Sequence, residues 1–193
     1  MPETFPETTL RSERLTLRPF SALDIPGVQV GCSDTATQRW LPLARPYTRD
    51  NATTWCTVTA HALRESGDGI HFAVTGHPSA RLVANVGLRH TDWDTLTTEI
   101  GYWVSPGARG DGIAAEAVRR VAEWLFTERS FERLELRAAE GNTASRRVAV
   151  KAGMTQEGVL RSAGVTHGGR VNLVLFACLP DETVPGDDVG RRM

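Results

Sequence analysis

The stretch "TTEIGYWVSPGARGDGIAAEAVRRVAEWLF", from Thr97 to Phe126, passes from a strand pattern through a glycine-rich loop into a helix pattern. Beyond the loop, Ile113, Ala114, Ala117, Val118, Val121 and Leu125 recur at spacings of three and four. Gly112 to about Thr127 is therefore expected to be an amphipathic helix with one face on a core. A helix that starts directly after such a loop aims its unpaired N–H groups, and the positive end of its dipole, at whatever lies over the loop. Glycines keep Cβ atoms out of the way of that approach. The loop reads as an anion cradle on a strand–helix joint.

Three nucleotide motifs use this arrangement. A Walker loop needs Gly-Lys-Ser/Thr, which is absent here. The dinucleotide pattern G-x-G-x-x-G/A is met by Gly110, Gly112 and Ala115, with Glu140 at a strand end downstream, but "SPGA" separates the loop from its strand and about half the chain precedes it. The acyl-CoA pattern R-x-x-G-x-A/G is met by Arg109, Gly112 and Ala114. The adhesion-like Arg109-Gly110-Asp111 is short enough to arise by chance.

The flanking sequence supplies the rest of the fold. "RLTLRPF", residues 14–20, alternates like a half-buried strand. Residues 22–33 and 48–65 are helical in character, the second with Thr48 as N-cap and "SGDG" as its stop, and "RWLPLARPY" between them is too proline-rich for regular structure. "HFAVTG" and "RLVANVGLRH", joined by "HPSA", form a hairpin that "TTEIGYWV" extends into an antiparallel meander. "RLELRAA" is the next strand, "TASRRVAVKAG" a short helix closed by Gly153, and "TQEGVLRS" and "RVNLVLFACL" the last strands. This order predicts one α+β domain with a mixed, mostly antiparallel sheet over residues 10–180, with residues 1–9 and 181–193 as flexible ends.

Composition narrows the partners. With 23 acidic and 22 basic residues, nothing points to nucleic acid or to a membrane surface. Three cysteines without a C-x-x-C pair suit neither a disulfide framework nor a zinc site, and the five histidines have no ligand spacing, so no metal is expected. No apolar run resembles a signal peptide or a membrane span, and a cytoplasmic location is expected.

"EIGYWVSPGARGDGIAAEAV" followed by "GNTASRRVAVKAGM", with "ERLTLRPF" and "RWLPLARPYT" nearer the start, resembles the GNAT N-acetyltransferase superfamily and, within it, the RimJ/RimL-like branch. The resemblance covers roughly Leu10 to Leu179. It implies a strand ending at Val104 that splays from "RLELRAA", leaving a slot for the pantetheine arm of acetyl-CoA. That arm would pair with the backbone of Trp103 and Val104, and the pyrophosphate would rest on N–H groups of Arg109, Gly110, Asp111, Gly112, Ile113 and Ala114. The Asp111 carboxylate should turn away from the phosphates and cap the helix.

The resemblance makes Glu99 the candidate base, acting through water, and Val104 N–H the oxyanion donor. Asn142 and Ser145, three apart at a helix start, would contact the cofactor, with Ser145 as candidate acid for the thiolate and Asn142 equally suited to be an N-cap. Arg146 and Lys151 would reach the CoA phosphates, while Arg147 is read as solvated and Tyr102 as sheet packing. One departure stands out: where RimL-type enzymes carry a second acidic residue in the loop after "EGVLRS", this chain has Gly164. The expected activity is acetyl transfer to a primary amine, a protein N-terminus or a small molecule, around the segment from Trp40 to Tyr47. An acyl-CoA sensor without turnover, a larger donor such as succinyl-CoA, a nicotinamide oxidoreductase, and a homodimer remain open.

Overall fold

The computed structural model describes residues 3–182 of the chain. Eight strands form one sheet: β1 (Leu10–Arg11), β2 (Leu15–Arg18), β3 (His71–Gly76), β4 (Leu82–Asp92), β5 (Thr97–Val104), β6 (Arg133–Ala139), β7 (Thr155–Thr166) and β8 (Gly169–Cys178). Their spatial order is β1-β2-β3-β4-β5-β6-β8-β7, and every neighbouring pair is antiparallel except β5 with β6. This is the expected mixed sheet. A doubly wound dinucleotide fold would need a mostly parallel one, so that alternative falls.

Helices cover both faces. On one face lies α5 (Ile113–Glu128), which buries Val118, Val121, Trp124 and Leu125 against Phe72, Val74, Val86, Leu88 and Ile100, and beside it α6 (Thr143–Lys151). On the other face α1 (Ile25–Ser33), α3 (Arg49–Thr54) and α4 (Ala60–Ser66) pack over Ala73, Leu82 and Trp103. Because strand side chains alternate, this division also separates the polar residues of β4 and β5. Glu99, Gly101 and Trp103 fall on the face of α1 and α3; Ile100, Tyr102 and Val104 fall on that of α5 and α6.

Three expectations need correction. Part of the stretch between the two N-terminal helical segments is itself helical: α2 (Thr35–Trp40) starts on Asp34, whose carboxylate accepts from Thr37 N–H, and only the proline-containing residues after it are irregular. The short β1 had no readable alternation. Phe5, inside the segment expected to be flexible, is completely buried among Trp93, Trp124 and Phe131, with ring centroids 4.8, 6.1 and 5.9 Å away. Residues 183–193 of the acidic tail lie outside the described residues. Among the described residues no helix is long and apolar enough to cross a membrane.

The first hairpin is tied to α5 by Glu116, which accepts from Ser12 Oγ at 2.7 Å and Arg14 Nε at 2.7 Å. Burial raises the affinity of this carboxylate for a proton, but the hydrogen bonds from Ser12 and Arg14 outweigh it and hold its pKa below the ordinary 4.5. A depressed folded pKa makes the contribution to stability present above that ordinary value and lost as the pH falls below it. Glu116→Ala should therefore lower the unfolding free energy by about 1–3 kcal/mol at neutral pH. In urea titrations the gap to wild type should shrink in acid; a gap that is constant down to pH 3 would disprove the assignment.

Candidate active site

The site is created by incomplete pairing. β5 and β6 are in register only from Thr97 to Glu99, opposite Arg133 to Glu135, and among the described residues the rest of β5 has no strand partner on that side. Ser105 N–H bonds Val83 O at 2.8 Å, continuing the ladder with β4. Backbone direction alternates along a strand, so Val104 N–H points the opposite way, into the gap, while the backbone of Trp103 faces Asn85 on β4. Five residues of open edge from Glu99 to Val104 span about 17 Å.

The gap opens into a cleft of about 960 Å³. One end lies at the start of α5. Gly112 is the N-cap of that helix at φ +80°, a left-handed conformation that suits glycine, and a Cβ added at Gly110 would meet nothing within 4 Å. Gly110, Gly112, Ile113 and Ala114 line the cleft, whereas Asp111 is exposed and outside it. Asp111 thus turns away as expected, but it does not cap: the N-cap is Gly112, with no side-chain bond, and what Asp111 offers is its carbonyl, to Arg14 Nη1 at 3.1 Å.

Arg109 lines the cleft too, and its side chain is turned to the protein. Its guanidinium bonds Asp34 Oδ2, Thr37 Oγ1 at 3.0 Å and Val104 O at 3.2 Å, so it braces the loop against α2 and β5. The bond from Arg109 is the leading cause of a lowered Asp34 pKa. On α6, Arg147 and Lys151 line the cleft, and Arg146 does not; its Nη1 reaches Glu140 O at 3.4 Å. Helix phase thus puts the exposed Arg147 on the lining and leaves Arg146 off it.

Ser145 and Asn142 meet the cleft at the head of α6. Asn142 Oδ1 accepts from Ser145 N–H at 3.1 Å, the N-cap bond. Ser145 Oγ lies 2.9 Å from the hydroxyl of Tyr102, which reaches it from β5. Burial, partly offset by this bond, pushes the Tyr102 pKa up to about 12, so the phenol stays protonated and able to donate. Strand alternation marks Tyr102 as packing, because it cannot reveal a partner 43 residues away.

Glu99 stands where β5 and β6 part, almost wholly buried, with Oε1 accepting from Arg89 Nε at 3.2 Å and from Arg89 Nη2, and Oε2 3.7 Å from Arg137 Nε. The carboxylate is thus flanked by guanidiniums from β4 and β6. Beside it His71 packs its ring on Gly87. Burial, then the charge of Arg89, pushes its pKa down to about 4. Trp55 meets this ring edge-on at 4.9 Å. Trp40, Leu41, Leu43 and Tyr47 supply the opposing wall, and His167 in the β7–β8 turn meets Leu43 O across the mouth at 2.8 Å. Trp103 is also part of the lining, with its indole packed against Gly31 on α1.

Comparison with known proteins agrees with this geometry. A family model described as an acetyltransferase (GNAT) domain matches residues 14–155. The chain belongs to the GNAT acetyltransferase family. An uncharacterized N-acetyltransferase, p20, of Bacillus licheniformis is 25% identical over 90% of this chain and 97% of its own length. The putative ribosomal N-acetyltransferase YdaF of Bacillus subtilis (strain 168) is 32% identical over 52% of this chain and 55% of its own. Among solved structures, Mycobacterium smegmatis RimJ in complex with CoA-disulfide superposes with a TM-score of 0.81 at 22% identity, covering 96% of this chain and 91% of that one, a likeness of fold. Glu140, the acidic partner in the dinucleotide reading, instead accepts from Asn172 Nδ2 at 3.0 Å.

Gly164, at the position singled out for its missing carboxylate, lies within β7 rather than in a loop, beside a break in register with β8. A Cβ there would come within 2.6 Å of Leu173 Cδ2 and 2.9 Å of Val171 Cγ2. An acidic side chain at this place has no room while those two residues stay. Gly164→Asp should destabilise the fold by about 1–3 kcal/mol through overpacking. Gly164→Asp combined with Leu173→Ala should recover part of that loss in thermal unfolding. Equal melting of wild type and the single variant would show that the hairpin yields freely.

Proposed function

We propose that this chain transfers the acetyl group of acetyl-CoA to a primary amine by direct attack in a ternary complex. The observation that carries the reading is the open edge of β5, which runs from a buried carboxylate at Glu99 to the unpaired N–H groups of α5. An amide-rich pantetheine arm suits that edge as an additional strand would, through Val104 rather than Trp103. The pyrophosphate suits the loop from Arg109 to Ala114, with Arg147 and Lys151 as the cations at that end. Acetyl is the donor group of choice; succinyl differs only in the room it needs.

The chain's groups divide the chemistry. Val104 N–H holds the oxygen of the tetrahedral adduct. The amine nitrogen bonds to the thioester carbon and the C–S bond breaks. Two protons leave the nitrogen in all: the first passes through water to Glu99 and on to solvent, and the second matches the one taken up by the departing sulfur. Ser145, supported by Tyr102, donates a hydrogen bond to that sulfur; a thiolate whose conjugate acid has a pKa near ~8.5 needs little more. The three free, buried cysteines suit a reducing compartment such as the cytoplasm.

An acyl-CoA sensor is the second reading, favoured by one observation, the engagement of Glu99 by two arginines. Both readings require saturable acetyl-CoA binding in the micromolar range or tighter, about −8 kcal/mol; only the first requires release of CoA thiol when amines are added. Gly112→Asp should weaken acetyl-CoA binding at least tenfold in calorimetry, since it adds bulk, charge and a strained φ at the loop. Tyr102→Phe should lower kcat severalfold at unchanged acetyl-CoA affinity. Glu99→Gln should lower turnover most at low pH, where free amine is scarce, and a pH-independent, unchanged rate would remove Glu99 from the base role.

A further inference from the structure

Gly101 stands in the middle of β5, where a glycine weakens a strand unless something needs the missing Cβ. Two other glycines close by show what such a need looks like. On β4, directly opposite Gly101, a Cβ at Gly87 would come within 2.0 Å of His71 Nδ1, and on α1 a Cβ at Gly31 would come within 2.3 Å of the Trp103 ring, so protein side chains fill both places. Gly101 has no such neighbour. Its φ lies outside the left-handed region, and among the described residues a Cβ there would approach only Arg89 Nε, at 4.0 Å. Neither turn geometry nor internal packing accounts for this glycine, and what it leaves is open space in the lining of the cleft.

That space has a definite place relative to the reacting centre. Gly101 and Trp103 lie on the face of α1 and α3, opposite to the face on which Tyr102 meets Ser145. A donor in the plane of the gap, with its sulfur beside Ser145, leaves the α1 and α3 face for the amine. Trp103, packed on Gly31, occupies that face nearest Val104, so the first open position along the strand is Gly101. Around it the walls are flat and apolar. His71 lies over Gly87 with Trp55 edge-on to it at 4.9 Å, Tyr47 joins them from the segment before α3, and Trp40 reaches over to the β6–α6 turn, its ring 3.4 Å from where a Cβ of Gly141 would be. The imidazole is uncharged at neutral pH, its pKa held down at about 4 by burial. The charges beyond, where β5 and β6 part, are matched, Arg89 with Glu99 and Arg137 with Glu135. Shape and apolar contact, not net charge, therefore select what lies on Gly101.

We propose that the acceptor is a small primary amine with a flat aromatic body, which lies on Gly101 among Trp55, Tyr47 and Trp40 and carries its nitrogen on a short arm toward Val104. Gly101 and Val104 are about 10 Å apart along the strand, a span covered by one six-membered ring, an arm of about two carbons and the ~3 Å approach of nitrogen to the thioester carbon. Aromatic rings in edge-on or offset contact favour a ring as guest beyond the apolar area it buries. The bond from His167 to Leu43 O ties the two walls of the mouth together, which suits a small molecule over the surface of a folded protein. The bonds made and broken are those of the transfer described above, and the aromatic group is unchanged.

This inference rests on the transferase reading, and one assay separates the two. Thiol release from acetyl-CoA is followed with 2-phenylethylamine, with ethanolamine, which has the same two-carbon arm and no ring, and with short peptides of neutral sequence. The expected kcat/KM for 2-phenylethylamine exceeds that for ethanolamine by about tenfold or more, the effect of burying the ring. Gly101→Val puts a β-branched side chain suited to a strand into the open space, and should bring the two amines to within about threefold of each other through KM for the ring-bearing one. Acetyl-CoA affinity in calorimetry should stay the same, because Gly101 turns its N–H and C=O to β4 and away from the gap. The ratio measured on the unaltered protein tests the idea even where the variant fails to fold. Equal rates for the two amines, or turnover of peptides alone, would overturn the inference and leave the transferase standing. So would a Gly101→Val variant that loses acetyl-CoA affinity and keeps the ratio, since the space would then belong to the donor's acyl group. No thiol release with any of the three would remove the transferase reading and this inference with it.

Discussion

Everything in the cleft depends on two neighbouring parallel strands that separate after three residue pairs. A buried strand edge is costly unless its N–H and C=O groups find partners, since an unpaired backbone group away from water loses a hydrogen bond's worth of free energy. Here the edge of β5 is left to the cleft, and the protein meets only part of the need, through Arg109 on Val104 O. What remains unpaired is a template for an extended, amide-rich ligand. The fold's activity follows from a deliberately unfinished sheet.

The separation is held at both ends. Where the strands part, a run of alternating charges crosses the sheet: Arg89 on β4, Glu99 on β5, Arg137, Glu135 and Arg133 on β6, and Glu157 on β7. Isolated surface pairs contribute little, but a connected run shares its members and fixes several side chains at once. Farther along, Tyr102 reaches from β5 to Ser145 on α6, so a side-chain bond ties the strand to the helix beside the gap. Arg109 performs the same service for the loop by tying it to Asp34 and Thr37 at the head of α2.

Local pattern carried much of this. "TTEIGYWV" and "RLELRAA" match β5 and β6 end to end, because alternation bounded by turns is a local signal, reinforced in β5 by β-branched and aromatic residues. Thr48 caps α3 as its sequence suggests, with its side chain accepting from Asn51 N–H. The failures share a cause, which is dependence on distant partners. Phe5 is held by aromatic residues far along the chain, and no rule about termini anticipates that. α2 is brief and begins on Asp34, whose double duty as cap and as partner of Arg109 is set by tertiary contact. Arg146 and Arg147 differ by one step of helix phase, which a sequence pattern fixes only when the buried face is unambiguous.

Glu99 shows where motif and environment pull apart. Its place in the strand was legible, and so was its access to the slot; its flanking arginines were not, because Arg89 and Arg137 come from strands whose register sequence alone leaves undefined. A buried carboxylate between two guanidiniums is charge-balanced in a way that a lone one is not, and breaking one partner away leaves the other side under-neutralised. The arrangement keeps a carboxylate at a buried strand junction with a guanidinium on either side. It also brings two cations to the lining of the cleft. The same pairing that makes Glu99 tolerable in the interior leaves two half-exposed guanidiniums where β5 and β6 part, so the burial of the carboxylate and the charge lining this end of the cleft have one physical origin.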